Sequence, residues 1–126
     1  MNILQHLSQQ ATVSLATQKK DGDLVLTPLW LAAYGDKLYM RTIKDSAKVL
    51  RIQNFSQVSL APCTWEGLVT GQYYTAIARL MIYNDPLVQK AEIALQEKYG
   101  AERSKMTAMM AEQNKSLCYI EISLTN

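Results

Sequence analysis

The sequence predicts a mainly β fold, an antiparallel barrel of six strands with accessory helices. Three observations carry this. Six stretches, 11–17, 23–34, 37–42, 57–63, 71–83 and 115–126, alternate apolar and polar residues or run apolar at strand length. Tight-turn signals, Asp21-Gly22 and Gly35-Asp36, join the first three of them. Helical signals are confined to the gaps and margins, at 2–10, 46–54, 85–99 and 101–113.

The elements follow in order. In 2–10, Ile3, Leu4 and Leu7 share a face that can seat on a barrel end, with His6 between them as a surface histidine. Val13 and Leu15 alternate with Thr12, Ser14 and Ala16. In 23–34, Pro28 cannot donate a ladder hydrogen bond, so it marks an edge or a bulge that frees backbone groups of Thr27 and Leu29. Trp30 beside it either stacks on a ligand or packs in the core. In 37–42, Leu38 and Met40 alternate with Tyr39 and Arg41, and Thr42 closes the strand. Asp45 and Ser46 are N-cap residues for the helix that follows, with Val49, Leu50 and Ile52 available for burial. Val58 and Leu60 mark the next strand, ended by Pro62, and Cys63 reads as structural. The 71–83 stretch is long enough to face a barrel on one side and a second subunit on the other. Arg79 within it calls for a carboxylate partner or an anionic ligand. Asn84-Asp85-Pro86 opens a helix that Gly100 ends. Residues 101–113 place Met106, Met109 and Met110 on one face, and Cys118, Ile120, Ile122 and Leu124 alternate in the last strand.

Composition narrows the function classes. A chain of 126 residues is one domain, 1–126, with 48% hydrophobic residues to build its core. Thirteen basic against 11 acidic residues give a formal charge of +2, too balanced for a nucleic-acid binder. The two cysteines lack metal-type spacing, and a single histidine argues against a zinc site, a Ser-His-Asp triad or a Cys-His dyad. No apolar run approaches the roughly 20 residues that span a bilayer, and no secretory h-region is present. The expectation is a cytoplasmic protein with reduced thiols.

The chemistry concentrates at 37–51. Thr42, Ser46 and the first backbone N–H groups of the helix converge, ringed by Arg41, Lys44, Lys48 and Arg51, a pattern that suits a phosphate. By spacing alone, the same residues also make an ordinary strand–helix junction with a solvated basic face.

This stretch resembles the phosphate-binding segment of the FMN-binding split-barrel superfamily, whose best-known member is pyridoxamine 5′-phosphate oxidase. There a Thr at the strand end, a Ser four positions on and a Lys soon after hold the flavin phosphate; Thr42, Ser46 and Lys48 match that order. Five motifs in order resemble more narrowly the short oxidoreductases of this class that depend on the deazaflavin coenzyme F420. They are Thr27-Pro28-Leu29-Trp30, Arg41-Thr42, Ala47-Lys48-Val49-Leu50-Arg51, Val58-Ser59-Leu60-Ala61-Pro62-Cys63 and Gly67 to Gly71. Ala47 stands where that family usually has Gly, and Leu50 where it often has Lys.

The resemblance implies a six-stranded antiparallel split β-barrel. It also implies a homodimer with cofactor sites at the subunit interface, and FMN or coenzyme F420 as cofactor. Thr42, Ser46, Ala47 and Lys48 would hold the phosphate, Arg41 and Arg51 would add charge, and Thr27, Pro28, Leu29 and Trp30 would line the tricyclic ring. The function so implied is hydride transfer to or from a small molecule, with no general acid or base assigned. A different class on the same scaffold is a non-catalytic protein that binds a flavin or a tetrapyrrole.

Overall fold

The computed structural model describes residues 2–82, 84–103 and 116–125. Helix α1 (Ile3–Ser8) leads into β1 (Val13–Gln18), β2 (Leu24–Leu29), β3 (Ala32–Tyr34) and β4 (Lys37–Ile43). Helix α2 (Ala47–Asn54), β5 (Gln57–Pro62), β6 (Tyr74–Leu80), helix α3 (Pro86–Tyr99) and β7 (Leu117–Leu124) complete the described elements. The cap expected at Asp85 forms, its side chain accepting from Leu87 N at 2.9 Å behind Pro86; Asn2 also caps α1, accepting from Gln5 N at 2.8 Å, whereas Ser46 makes no capping bond to α2.

All seven strands form one antiparallel sheet in the order β2-β1-β5-β6-β7-β4-β3. β2 and β3 lie at opposite edges, yet only Trp30 and Leu31 separate them in sequence. Three Cα steps reach about 11 Å. The sheet must therefore curl until its two edges nearly meet, which makes a barrel with a seam. β3 pairs only with residues 37–39 of β4, so the rest of β4, from Met40 to Ile43, is laddered to β7 alone, and β2 to β1 alone. The seam is the split of a split β-barrel.

The core lies inside the curl. Leu15, Leu38, Met40, Leu60, Ile120 and Ile122 are fully buried, and α2 seats Ile52 on them. Each such side chain contributes about 1.5–3 kcal/mol of burial. On the outer side of β4 and β7, α3 packs Ala91 against Tyr39 and Met81. Among the described residues no helix is long and apolar enough to cross a membrane.

Several expectations change. The stretch 23–34 is two strands, not one, because the chain leaves one sheet edge and joins the other at Trp30-Leu31; six patterns thus give seven strands. Pro28 marks an edge strand rather than a bulge: the β1–β2 register runs unbroken through Ser14↔Pro28. The 71–83 stretch is a strand only over Tyr74–Leu80. Arg79 has its carboxylates, Glu121 at 3.1 Å and Asp85 at 3.3 Å, but Arg79 is exposed and Glu121 is the buried partner. His6 is half-buried, edge-on to Tyr74, rather than at the surface. Residues 101–103 are helical, and the methionine face at 106–110 lies outside the described residues.

Candidate functional site

A cavity of about 380 Å³ opens at the seam. Ligand pockets run from about 300 to 1,000 Å³, so it has room for one ring system and little more. One wall is the end of β2 and the crossover: Thr27, Pro28, Leu29 and Trp30. The facing wall is the free end of β4, with Arg41, Thr42 and Ile43, and Lys48 from α2. Thr12, Trp65, Leu95 and Arg103 close the remainder.

Local structure explains why these side chains meet. β4 alternates, so Thr42 turns to the core side with Met40, while Arg41 and Tyr119, paired across β4 and β7, turn toward α3. Asp45 takes φ 65°, a left-handed conformation that Asp tolerates better than most residues, and this reverses the chain into α2. Lys48, on the first turn of α2, then reaches back to donate to Thr42 Oγ1 at 3.0 Å. Burial, with Arg51 nearby, lowers the Lys48 pKa, so its charge is incompletely compensated.

Ser46 sits at the N-cap of α2 but its side chain makes no capping bond. Its Oγ is buried with no hydrogen-bond partner among the described residues. An unmet buried hydroxyl costs about 1–3 kcal/mol, and the first-turn N–H groups beside it have no partner within the helix. A phosphate would satisfy both, with a rotation of the Ser46 side chain, so the residues present fit such a group.

Behind the β4 wall stands a polar cluster. Arg103, 2% exposed, donates to both carboxylate oxygens of Glu92 at 2.5 Å, and the Tyr119 hydroxyl donates to Glu92 Oε2. The Arg103 hydrogen bonds hold the Glu92 carboxyl below its usual range, and burial pushes the Tyr119 phenol up to about 12. Burial, and then Arg103, lowers Arg41, with Glu92 opposing. Among the described residues the lining carries Arg41, Lys48 and Arg103, the last already paired with Glu92, and no carboxylate. A flat apolar wall with an aromatic face meets a positively charged one.

Trp30 both packs and lines. Its ring lies on Tyr99 at 4.5 Å between centroids and 7° between planes, and the indole also borders the cavity.

Of the residues expected from sequence, Thr27, Pro28, Leu29, Trp30, Arg41, Thr42 and Lys48 share this one cavity. Ser46 and Ala47 stand beside it at the start of α2 and are not on its wall. Arg51 turns away, its Nε donating to Thr17 Oγ1 of β1 at 2.7 Å. Thr12, Trp65, Leu95 and Arg103 were not expected; of these, only Trp65 carried a local signal, as a tryptophan in a turn.

No family model and no curated protein matches the chain. Solved structures do. HutZ, the haem storage protein of Vibrio cholerae, is 12% identical with a TM-score of 0.72, covering 100% of this chain and 92% of its own. A candidate pyridoxamine 5′-phosphate oxidase from Listeria innocua is 15% identical with a TM-score of 0.66, covering 98% and 91%. An F420 reductase is 15% identical with a TM-score of 0.61, covering 100% and 96%. The chain thus has the split-barrel fold of proteins similar to pyridoxamine 5′-phosphate oxidase.

Proposed function

We propose that this protein is a homodimeric oxidoreductase that uses a flavin, FMN, or the deazaflavin coenzyme F420. The observation that carries the reading is the cavity itself: among the described residues a braced indole shares it with Arg41, Lys48 and Arg103, and an uncapped helix start stands beside it. That combination suits a planar ring joined to a phosphate. Such a group, when bound, supplies hydride transfer at its ring.

The chain's own residues do the rest. Lys48 and Thr42, with the N–H groups of α2 and a rotated Ser46, bind the phosphate. Arg41 adds charge from the β4 wall. Trp30, Leu29 and Pro28 set the plane of the ring, while Leu95 helps exclude water. Arg51 supports this arrangement from a distance, holding α2 to β1 through Thr17.

A second copy of the chain suits the outer face of the sheet. Leu24 and Leu26 of β2 are 62% and 52% exposed there, with Ile77 of β6 at 42%. β1 and β5 lie between these two strands, so the three side chains spread over one outer face of the sheet, and a partner laid on that face would cover them together. The likeness to an F420 reductase supports the deazaflavin, and the FMN-type phosphate residues support the flavin; both remain in this proposal.

The likeness to a haem storage protein favours a second reading, a non-catalytic carrier of a flavin or tetrapyrrole. Against haem, the chain's only histidine, His6, does not line the cavity, so a haem held there would lack a histidine ligand from the same chain.

Fluorescence titration with FMN and with coenzyme F420, followed by turnover of the reduced cofactor against small-molecule acceptors, tests both readings. Binding with turnover supports the oxidoreductase. Binding without turnover supports the carrier, and binding of neither cofactor overturns the oxidoreductase.

A further inference from the structure

We propose that Lys98 and Tyr99 are positioning residues of the cavity: they lock the Trp30-Leu31 crossover and so set the plane of the indole against which a ligand ring lies. The proposal rests on the reading that the cavity takes a planar ring.

The crossover needs outside support. It joins two sheet edges across the seam, so Trp30 and Leu31 lie outside the ladders that hold β2 and β3. The backbone groups of Leu31 find partners at the last turn of α3 instead. Leu31 N donates to the Tyr99 hydroxyl at 3.1 Å. That hydroxyl donates to Ala11 O at 2.7 Å, with Leu31 O at 3.1 Å. The Tyr99 ring carries the Trp30 indole in a near-parallel stack. One side chain thus holds the crossover by its backbone and by its aromatic ring.

Lys98 adds a second lock. Its ammonium donates to Ser8 O at 2.8 Å, Gln10 O at 2.6 Å and Leu31 O at 2.7 Å. An ammonium has three donors, and here all three meet backbone carbonyls. Two carbonyls come from the short α1–β1 connection and the third from the crossover, some twenty residues further on, so one ammonium ties the two segments to α3. Three carbonyl oxygens around one charge form a cation site whose cation is part of the chain. Half-buried, it serves the fold rather than the solvent.

The link to function is geometric. Trp30 is stacked on the Tyr99 ring and lines the cavity, which Tyr99 does not, so a tilt of Tyr99 or a slip of Leu31 is passed to the cavity wall through the indole. A stacked aromatic contact is worth about 0.5–1.5 kcal/mol, which corresponds to roughly two- to tenfold in affinity for a ring.

The test uses the full chain carrying Trp65→Phe, which leaves Trp30 as the single tryptophan. Into it go Tyr99→Leu, Tyr99→Phe, Lys98→Met and Lys98→Arg, each checked for folding by circular dichroism. Two quantities are read: Trp30 emission and anisotropy without ligand, and affinity for riboflavin, which has the ring without the phosphate. Tyr99→Leu is expected to change Trp30 emission and weaken riboflavin roughly two- to tenfold. Tyr99→Phe keeps the stack and is expected to lose less. Lys98→Met is expected to weaken riboflavin too, because its apolar end leaves the three carbonyls without their donor.

Riboflavin affinity that is unchanged while Trp30 emission shifts overturns the positioning role, as does unchanged emission in Tyr99→Leu. If Tyr99→Leu and Lys98→Met fail to fold, the comparison rests on Tyr99→Phe and Lys98→Arg, and parent-like affinity in both overturns it. If the parent binds neither riboflavin nor FMN, the ring reading fails; the clamp then stands or falls on Trp30 emission alone.

Discussion

Lys48 donates its ammonium to the hydroxyl of Thr42 at 3.0 Å, tying the first turn of α2 to the free end of β4. The contact pre-sets two groups of the proposed phosphate site before any ligand arrives. Lys48→Met should therefore weaken FMN by roughly 10- to 150-fold, since a charge-assisted contact is worth about 1.5–3 kcal/mol. Riboflavin should bind Lys48→Met as it binds the unmodified protein. Equal losses for both ligands, measured by fluorescence titration, would place the phosphate elsewhere.

Glu121 gives the fold an acid-sensitive point. It is 7% exposed, accepts from the Tyr39 hydroxyl at 3.1 Å and pairs with Arg79. The Arg79 hydrogen bonds hold its carboxyl below the ordinary 4.5, with burial opposing. A folded value below the unfolded one means that the stabilisation is complete above about 4.5 and is lost as pH falls through the folded value. The melting temperature of the unmodified protein should drop more steeply below that point than that of Glu121→Gln. Parallel melting profiles would refute the assignment.

The loop that carries Trp65 depends on two glycines. Gly67 has φ 97°, and a Cβ on Gly71 would stand 3.1 Å from Pro62 Cγ and 3.2 Å from Cδ, a rigid ring that cannot turn aside. Gly71→Ala should cost about 1–3 kcal/mol in urea unfolding. Gly67→Ala should cost about 1 kcal/mol by backbone strain alone. A stability change near zero in Gly71→Ala would mean that the loop and β5 separate easily.

If the outer face of β2 and β6 joins two copies, a charge placed there must separate them. Leu26→Glu with Ile77→Glu should sediment as a monomer, while the unmodified chain sediments as a dimer. A monomer in both cases leaves this face without a second copy.

Much of the site was legible because it is local. Thr42 and Lys48 lie six residues apart across one strand–helix turn, and Thr27 to Trp30 are contiguous, so a short motif captures them. Arg103 and Leu95 were not legible, because they reach the cavity only after α3 folds against the outside of β4. The break at Trp30-Leu31 was hidden for a related reason. The apolar pattern continues through Leu29 and Leu31, and only the strand order, set by pairings far along the chain, reveals that the two halves belong to opposite edges. Ser46 was expected as a cap, and its type and position favour one; its open hydroxyl is a feature that spacing does not show.

The chain has two tryptophans, and both line the same cavity. They differ in restraint. Trp30 is stacked on Tyr99, whereas Trp65 is 73% exposed at a turn closed by Thr64 N to Leu68 O at 2.8 Å and Gly67 N to Thr64 O at 2.9 Å. The turn fixes the backbone under Trp65 but leaves its indole in solvent. A bound ring should therefore quench Trp30 without much change in its anisotropy, because that indole is already held. It should quench Trp65 and raise its anisotropy, because stacking on a ligand would immobilise it. Trp65→Phe and Trp30→Phe isolate the two signals during an FMN titration. Quenching of Trp30 alone would mean that Trp65 flanks the mouth without touching the ring, and quenching of neither would remove the ring from this cavity.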